Sequence, residues 1–170
     1  MRRRIILLGG LALAACGRET SAPSLLDGGV PVGTDPVRTA VLDASAYFAR
    51  PEPNQPARAA RGFANLEFAG QGVPTHPIFR ERQGLPQLEL ARQEARRALS
   101  IAPNAPSDRV VAGLRAAAAA LDANNRPGFD AALPRDVFTA GPAETLRRLS
   151  QPPTVRNARP ALVGLGQGRA

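Results

Sequence analysis

From Thr34 onward, apolar residues recur at helical spacing, broken by stretches rich in proline and glycine. Thr34-Asp35-Pro36 supplies a capping side chain and a proline for a first helical turn. Val37, Val41, Ala44 and Phe48 follow at intervals of four, three and four, which predicts a helix over 35–49. The run from Arg50 to Pro56 contains three prolines and ends it. A second helix is predicted over 56–70, with Ala59, Phe63 and Leu66 inward. Gly62 inside it either costs up to about 1 kcal/mol relative to alanine or lets another helix approach closely. Residues 70–84 hold Gly72, Pro74, Pro77 and Gly84 and read as an ordered surface loop with Ile78 and Phe79 as apolar pegs.

The same stripe returns twice more. Leu88, Ala91, Ala95 and Leu99 predict a third helix over 85–101, and Val110, Leu114, Ala117 and Leu121 a fourth over 107–124. The short turn between them predicts an antiparallel hairpin. Beyond Asn125 the pattern weakens. Phe129, Leu133 and Phe138 suggest a helical turn and loop, and Gly141-Pro142 opens a short helix over 142–150. Residues 151–170 show no period and read as a disordered tail. The expected fold is all-α, a small antiparallel bundle of four to five helices over 34–150. The stretch from Ala95 to Pro103, with Arg126 to Leu133 after it, faintly resembles a tetratricopeptide-type helical pair. The tryptophan, Leu-Gly and tyrosine positions of that repeat are missing, and no 34-residue period is present.

The N-terminus carries a different message. Arg2-Arg3-Arg4 precedes an apolar run from Ile5 to Ala15, which closes on Leu13-Ala14-Ala15-Cys16. A charged segment, a short apolar segment and small residues at a cleavage point make an export signal. The apolar run is well short of the roughly 20 residues that a membrane-spanning helix needs. Leu-Ala-Ala-Cys at this point resembles the lipobox of bacterial lipoproteins. That resemblance covers residues 1–16. It implies cleavage before Cys16, a diacylglyceryl thioether on the cysteine, and a chain held to a membrane by acyl groups. Two or more chains make such anchoring stable, where one gives only marginal attachment. Without lipidation, cleavage after Ala14 or Ala15 would release a soluble secreted protein.

The organisation expected is a signal over 1–15, the lipidated Cys16 with a flexible tether over 16–33, the helical domain over 34–150 and the tail over 151–170. The resemblance places the protein in the bacterial cell envelope, facing the periplasm. Gly17, where aspartate would favour inner-membrane retention, leans it toward the outer membrane.

Composition then narrows the chemistry. Cys16 is the only cysteine, so acylation would leave no disulfide, thiol nucleophile or cysteine metal ligand. All 22 basic residues are arginine, which removes amine chemistry and makes every cation a planar fork suited to carboxylate or phosphate. The formal charge of +8 becomes +5 once Arg2, Arg3 and Arg4 leave with the signal. That balance suits anionic lipid or an acidic envelope protein next to the anchor, whereas nucleic acid is excluded by the compartment.

His76, the only histidine, sits between Thr75 and Pro77, with Glu81 as the nearest acid along the chain. One imidazole without a second histidine or a free cysteine makes a poor metal site. The lone tyrosine, Tyr47, reads as half-buried with its hydroxyl in water. The acids are dispersed, no Gly-x-Ser-x-Gly occurs, and Gly164-Leu165-Gly166-Gln167-Gly168 lacks the strand and helix that a phosphate loop requires. No catalytic residue, cofactor or metal is expected, and the oligomeric state is left open. On the third helix Arg92, Arg96 and Arg97 cluster near Glu89 and Glu94. They form either a solvated face or a docking strip for an acidic partner or phosphate groups. As a strip, Arg92 and Arg96 should be replaceable by glutamine with little change in thermal midpoint. The expected function is non-enzymatic, a binding or assembly accessory; the alternative is a small-ligand-binding periplasmic domain with a pocket under the 70–84 loop.

Overall fold

A computed structural model describes residues 35–79 and 82–166. Cys16, the signal and the tether lie outside the described residues. The described chain is all-α, with seven helices where four to five were expected. They are α1 (Pro36–Ala49), α2 (Pro56–Gly72), α3 (Leu85–Ala98), α4 (Ser107–Asp122), α5 (Arg126–Ala132), α6 (Gly141–Ser150) and α7 (Ala158–Gly166), with one 3₁₀ turn at Val73–Thr75.

Local chemistry sets the helix ends. Asp35 caps α1 by accepting the Val37 and Arg38 backbone N–H groups at 3.0 and 3.2 Å. Proline stands in the first turn of α1, α2, α3, α5 and α6, where its missing N–H costs nothing. The C-termini of α3 and α4 close in the same way. Ser100 (φ 52°) and Asn124 (φ 51°) adopt left-handed backbone. The next residues, Ile101 and Asn125, each donate back five positions, to Arg96 and Ala120 carbonyls at 2.8 Å.

Helix α2 is the centre, packed by α1, α3, α4 and α6, while α5 lies on α4 and α7 lies on both α1 and α3. The core is alanine-rich, with Phe63, Phe129, Phe138 and a set of leucines as its largest fully buried side chains. Small residues let the helices close up. A Cβ on Gly62 of α2 would fall inside the Tyr47 ring of α1, so the close-approach reading of Gly62 is the one realised. At the start of α3, Gly84 (φ 115°) does the same for α7: a Cβ there would lie 2.7 Å from the Ala161 carbonyl oxygen.

Several expectations are corrected. The tail over 151–170 is not disordered as far as 166, because α7 buries Ala158, Ala161, Leu162 and Leu165 against the domain. Helices α3 and α4 do not form the expected hairpin; α4 packs chiefly on α2, and α3 on α7 and α2. The segment after Asn125 contains a true helix, α5, that buries Phe129. The 70–84 loop is shorter than expected, since α2 runs on to Gly72. Of its two pegs, Phe79 is buried and Ile78 is exposed. Tyr47 is 4% exposed, not half-buried, and its hydroxyl has no hydrogen-bond partner among the described residues. Burial pushes its pKa up to about 12, with Arg58 opposing weakly.

Candidate functional site

The three arginines of α3 do not share one environment. Glu67 of α2 falls on the same stripe as Ala60, Phe63 and Ala64 and is 3% exposed. Its carboxylate faces α3, and Arg96 meets it with two donors, Nη2 at 2.5 Å and Nε at 3.1 Å. Arg96 Nη1 donates to the Pro103 and Ala105 carbonyls at 3.2 and 2.9 Å, and Nη2 also to Ser107 Oγ at 3.0 Å. All five N–H groups of this guanidinium therefore have acceptors.

Arg92 sits one turn earlier. Its Nε and Nη2 form a fork on Glu89 at 3.0 and 3.1 Å, and its Nη1 reaches Glu67 at 3.4 Å and Ser107 Oγ at 3.2 Å. The Ser107 hydroxyl donates to Glu67 at 2.7 Å. The fork holds the Glu89 carboxyl below its ordinary range and raises Arg92 above its own, against some desolvation of both. The result is a closed network that ties α2, α3, the 102–106 turn and the first residue of α4. A buried carboxylate with two guanidiniums and a hydroxyl satisfies the rule that buried charges are paired and hydrogen-bonded.

Arg97 is different. It is exposed, and among the described residues it has no carboxylate partner. A cleft of about 370 Å³ opens beside the network, lined by Glu89, Arg92, Gln93, Arg96, Arg97, Ile101 and Pro103. Arg92 and Arg96 line it with donors already engaged, and Gln93 Nε2 donates to Glu89 at 2.9 Å, which leaves Arg97 as its open guanidinium. The three arginines are thus neighbours on α3, but the structure joins two of them to the interior. Stability and docking were expected to be separable at Arg92 and Arg96; the network makes both of them structural.

His76 has a carboxylate that the sequence did not suggest. Its Nε2 lies 2.9 Å from Asp35 Oδ2, while its Nδ1 accepts the Ile78 backbone N–H at 3.3 Å. Asp35 therefore caps α1 and clasps the segment after α2 with one side chain. A second clasp joins α3 to the C-terminal segment. Glu94 accepts the Asn157 backbone N–H at 3.1 Å and its Nδ2 at 2.6 Å. Among the described residues no group of three or more histidine, cysteine, aspartate or glutamate side chains could hold a metal, and no helix is long and apolar enough to cross a membrane.

Sequence reasoning missed Glu67, although a signal was present: a glutamate on an apolar helical stripe needs a buried partner. It also missed Asp35 as the partner of His76, which no local spacing reveals.

No family model matches the chain, and neither curated proteins nor solved structures give a match to it.

Proposed function

We propose that this chain is a lipid-anchored protein of the bacterial cell envelope, whose helical domain faces the periplasm and works by binding, as an assembly or docking accessory, not by catalysis. The observation that carries the reading is Leu13-Ala14-Ala15-Cys16 directly behind an arginine-led apolar run. The arrangement of the domain supports it. Among the described residues the first helix begins at Pro36, 20 residues past Cys16, a stretch of sequence long enough for a spacer between an acyl anchor and a folded body. The strongest polar cluster, around Glu67, is satisfied internally and is better suited to rigidity than to turnover. Gly17 after the cysteine favours the outer membrane. Cell fractionation tests the reading: the wild-type chain should sediment with membranes and resist a high-salt wash, while Cys16→Ser should not be retained after that wash. A wild-type chain found wholly in the soluble periplasmic fraction would overturn it.

The cleft beside Arg97 favours a second reading, small-anion binding, because its volume lies within the range of ligand sites. It lies on α3, not under the 70–84 loop. Inorganic phosphate or a small dicarboxylate should then raise the thermal midpoint of the wild type but not of Arg97→Gln.

A further inference from the structure

The arginines of the domain divide by neighbourhood. Arg61 pairs with Asp122, Arg109 with Asp136, Arg126 with Asp130 and Arg147 with Glu144, on α2, α4, α5 and α6. The exposed arginines on and beside α1, α3 and α7, which are Arg38, Arg50, Arg97, Arg156 and Arg159, have no carboxylate partner among the described residues. Arg135, in the turn before α6, shares this condition singly.

The segments that carry these five are neighbours, because α7 packs on both α1 and α3. The Glu94–Asn157 clasp brings the C-terminal half of α3 to the chain entering α7, with Arg97 one turn beyond Glu94 and Arg156 next to Asn157. The exposed positions form helical stripes. On α7 and the residues before it they are Arg156, Arg159, Pro160 and Val163, and on α1 they include Arg38, Leu42 and Ala46. Leu42, Leu90 and Val163, one on each of the three helices, are exposed large apolar side chains. Among the described residues few acids oppose the charge there, and Glu52, just past Arg50, is held by Arg58. Asp43 is exposed on α1, Asp35 is engaged by the α1 cap and His76, and Glu89 and Glu94 are bonded to Arg92 and Asn157.

An outer layer of free guanidinium forks with interspersed apolar side chains has the composition of a surface that lies on lipid headgroups. Chain length brings that partner within reach. Nineteen peptide steps separate Cys16 from Asp35, so an acylated cysteine would hold α1 within about 65 Å of the bilayer even at full extension. We infer that the layer of α1, α7 and the outward edge of α3 rests on an anionic membrane, with these arginines taking headgroup phosphates. The inference deepens the envelope reading and rests on it for the anchor.

The test removes the acyl group so that the surface is measured alone. The chain from residue 16 to 170 with Cys16→Ser is titrated with phosphatidylcholine vesicles with and without phosphatidylglycerol. Binding should require phosphatidylglycerol and fall as salt rises. Arg156→Gln/Arg159→Gln should weaken it by about 25-fold, at about fivefold per arginine near an anionic surface. Arg109→Gln/Arg126→Gln changes the net charge equally at paired positions and should bind within about twofold of the parent. Circular-dichroism melts confirm that each variant is folded. Absence of binding to phosphatidylglycerol, as an acidic protein partner in place of lipid would give, overturns the inference. Equal weakening by both double variants also overturns it, because attraction would then follow net charge alone. Failure of Cys16 acylation would be seen separately, in lipid labelling, and would leave the vesicle result standing.

Discussion

Glu67 of α2 and Arg96 of α3 meet inside the domain, the carboxylate 3% exposed and receiving Nη2 and Nε of the guanidinium side by side. This pair decides how the arginine cluster behaves. Removing one partner of a buried ion pair strands the other charge, at a cost of about 3–5 kcal/mol. Glu67→Ala strands Arg96, while Arg92 keeps its fork on Glu89, so urea denaturation should show a loss in that range. Arg97→Gln should change stability by less than about 0.5 kcal/mol, as exposed substitutions do. If Glu67→Ala costs under about 1 kcal/mol, the network contributes no net stability and the division between Arg96 and Arg97 is wrong.

Tyr47 gives a pH prediction that reads a single side chain, because it is the only tyrosine. Burial raises its pKa from 10 to about 12. The unfolded chain therefore releases the phenol proton first, and rising pH favours unfolding. The stabilising contribution is complete below pH 10 and is lost progressively toward pH 12, about 2–3 kcal/mol in all. Absorbance titration at the tyrosinate band should show a midpoint near 12 in the folded protein and near 10 in denaturant. A folded midpoint at 10 would place the hydroxyl in water.

Helix α7 makes a third. Leu162 is 1% exposed, so Leu162→Ala should destabilise the domain by about 2–5 kcal/mol, seen as a lower denaturation midpoint. A tail without structure would show no change.

These three sites also mark what could be read from sequence. The apolar stripes of α1 to α4 were legible because each holds a long, regular period over a helix of 14 to 17 residues. Helix α7 carries the same signal: Ala158, Ala161, Leu162 and Leu165 stand at intervals of three, one and three. It was masked by Pro160 and by Gly164 and Gly166, whose composition suggested disorder. The glycines have packing value here, since a Cβ on Gly164 would lie 2.7 Å from the Gln83 carbonyl oxygen. The hairpin of α3 and α4 was misjudged because a short turn fixes chain connectivity, while packing follows the faces, and α4's face belongs to α2. Of the candidate site, proximity of Arg92, Arg96 and Arg97 followed from helical spacing. Their division did not, because it depends on Glu67, 25 residues or more away along the chain. The Asp35–His76 contact is likewise tertiary, formed between the start of α1 and the segment beyond α2.

Metabolic labelling with palmitate, followed by intact mass of the purified chain, reads the acyl anchor on Cys16 itself. Wild-type protein should be labelled, with a mass that corresponds to residues 16–170 plus a diacylglyceryl thioether and an N-terminal acyl group, and Cys16→Ser should carry no label. An unlabelled wild-type chain, with a mass that fits cleavage after Ala14 or Ala15 and no lipid, would contradict the anchor.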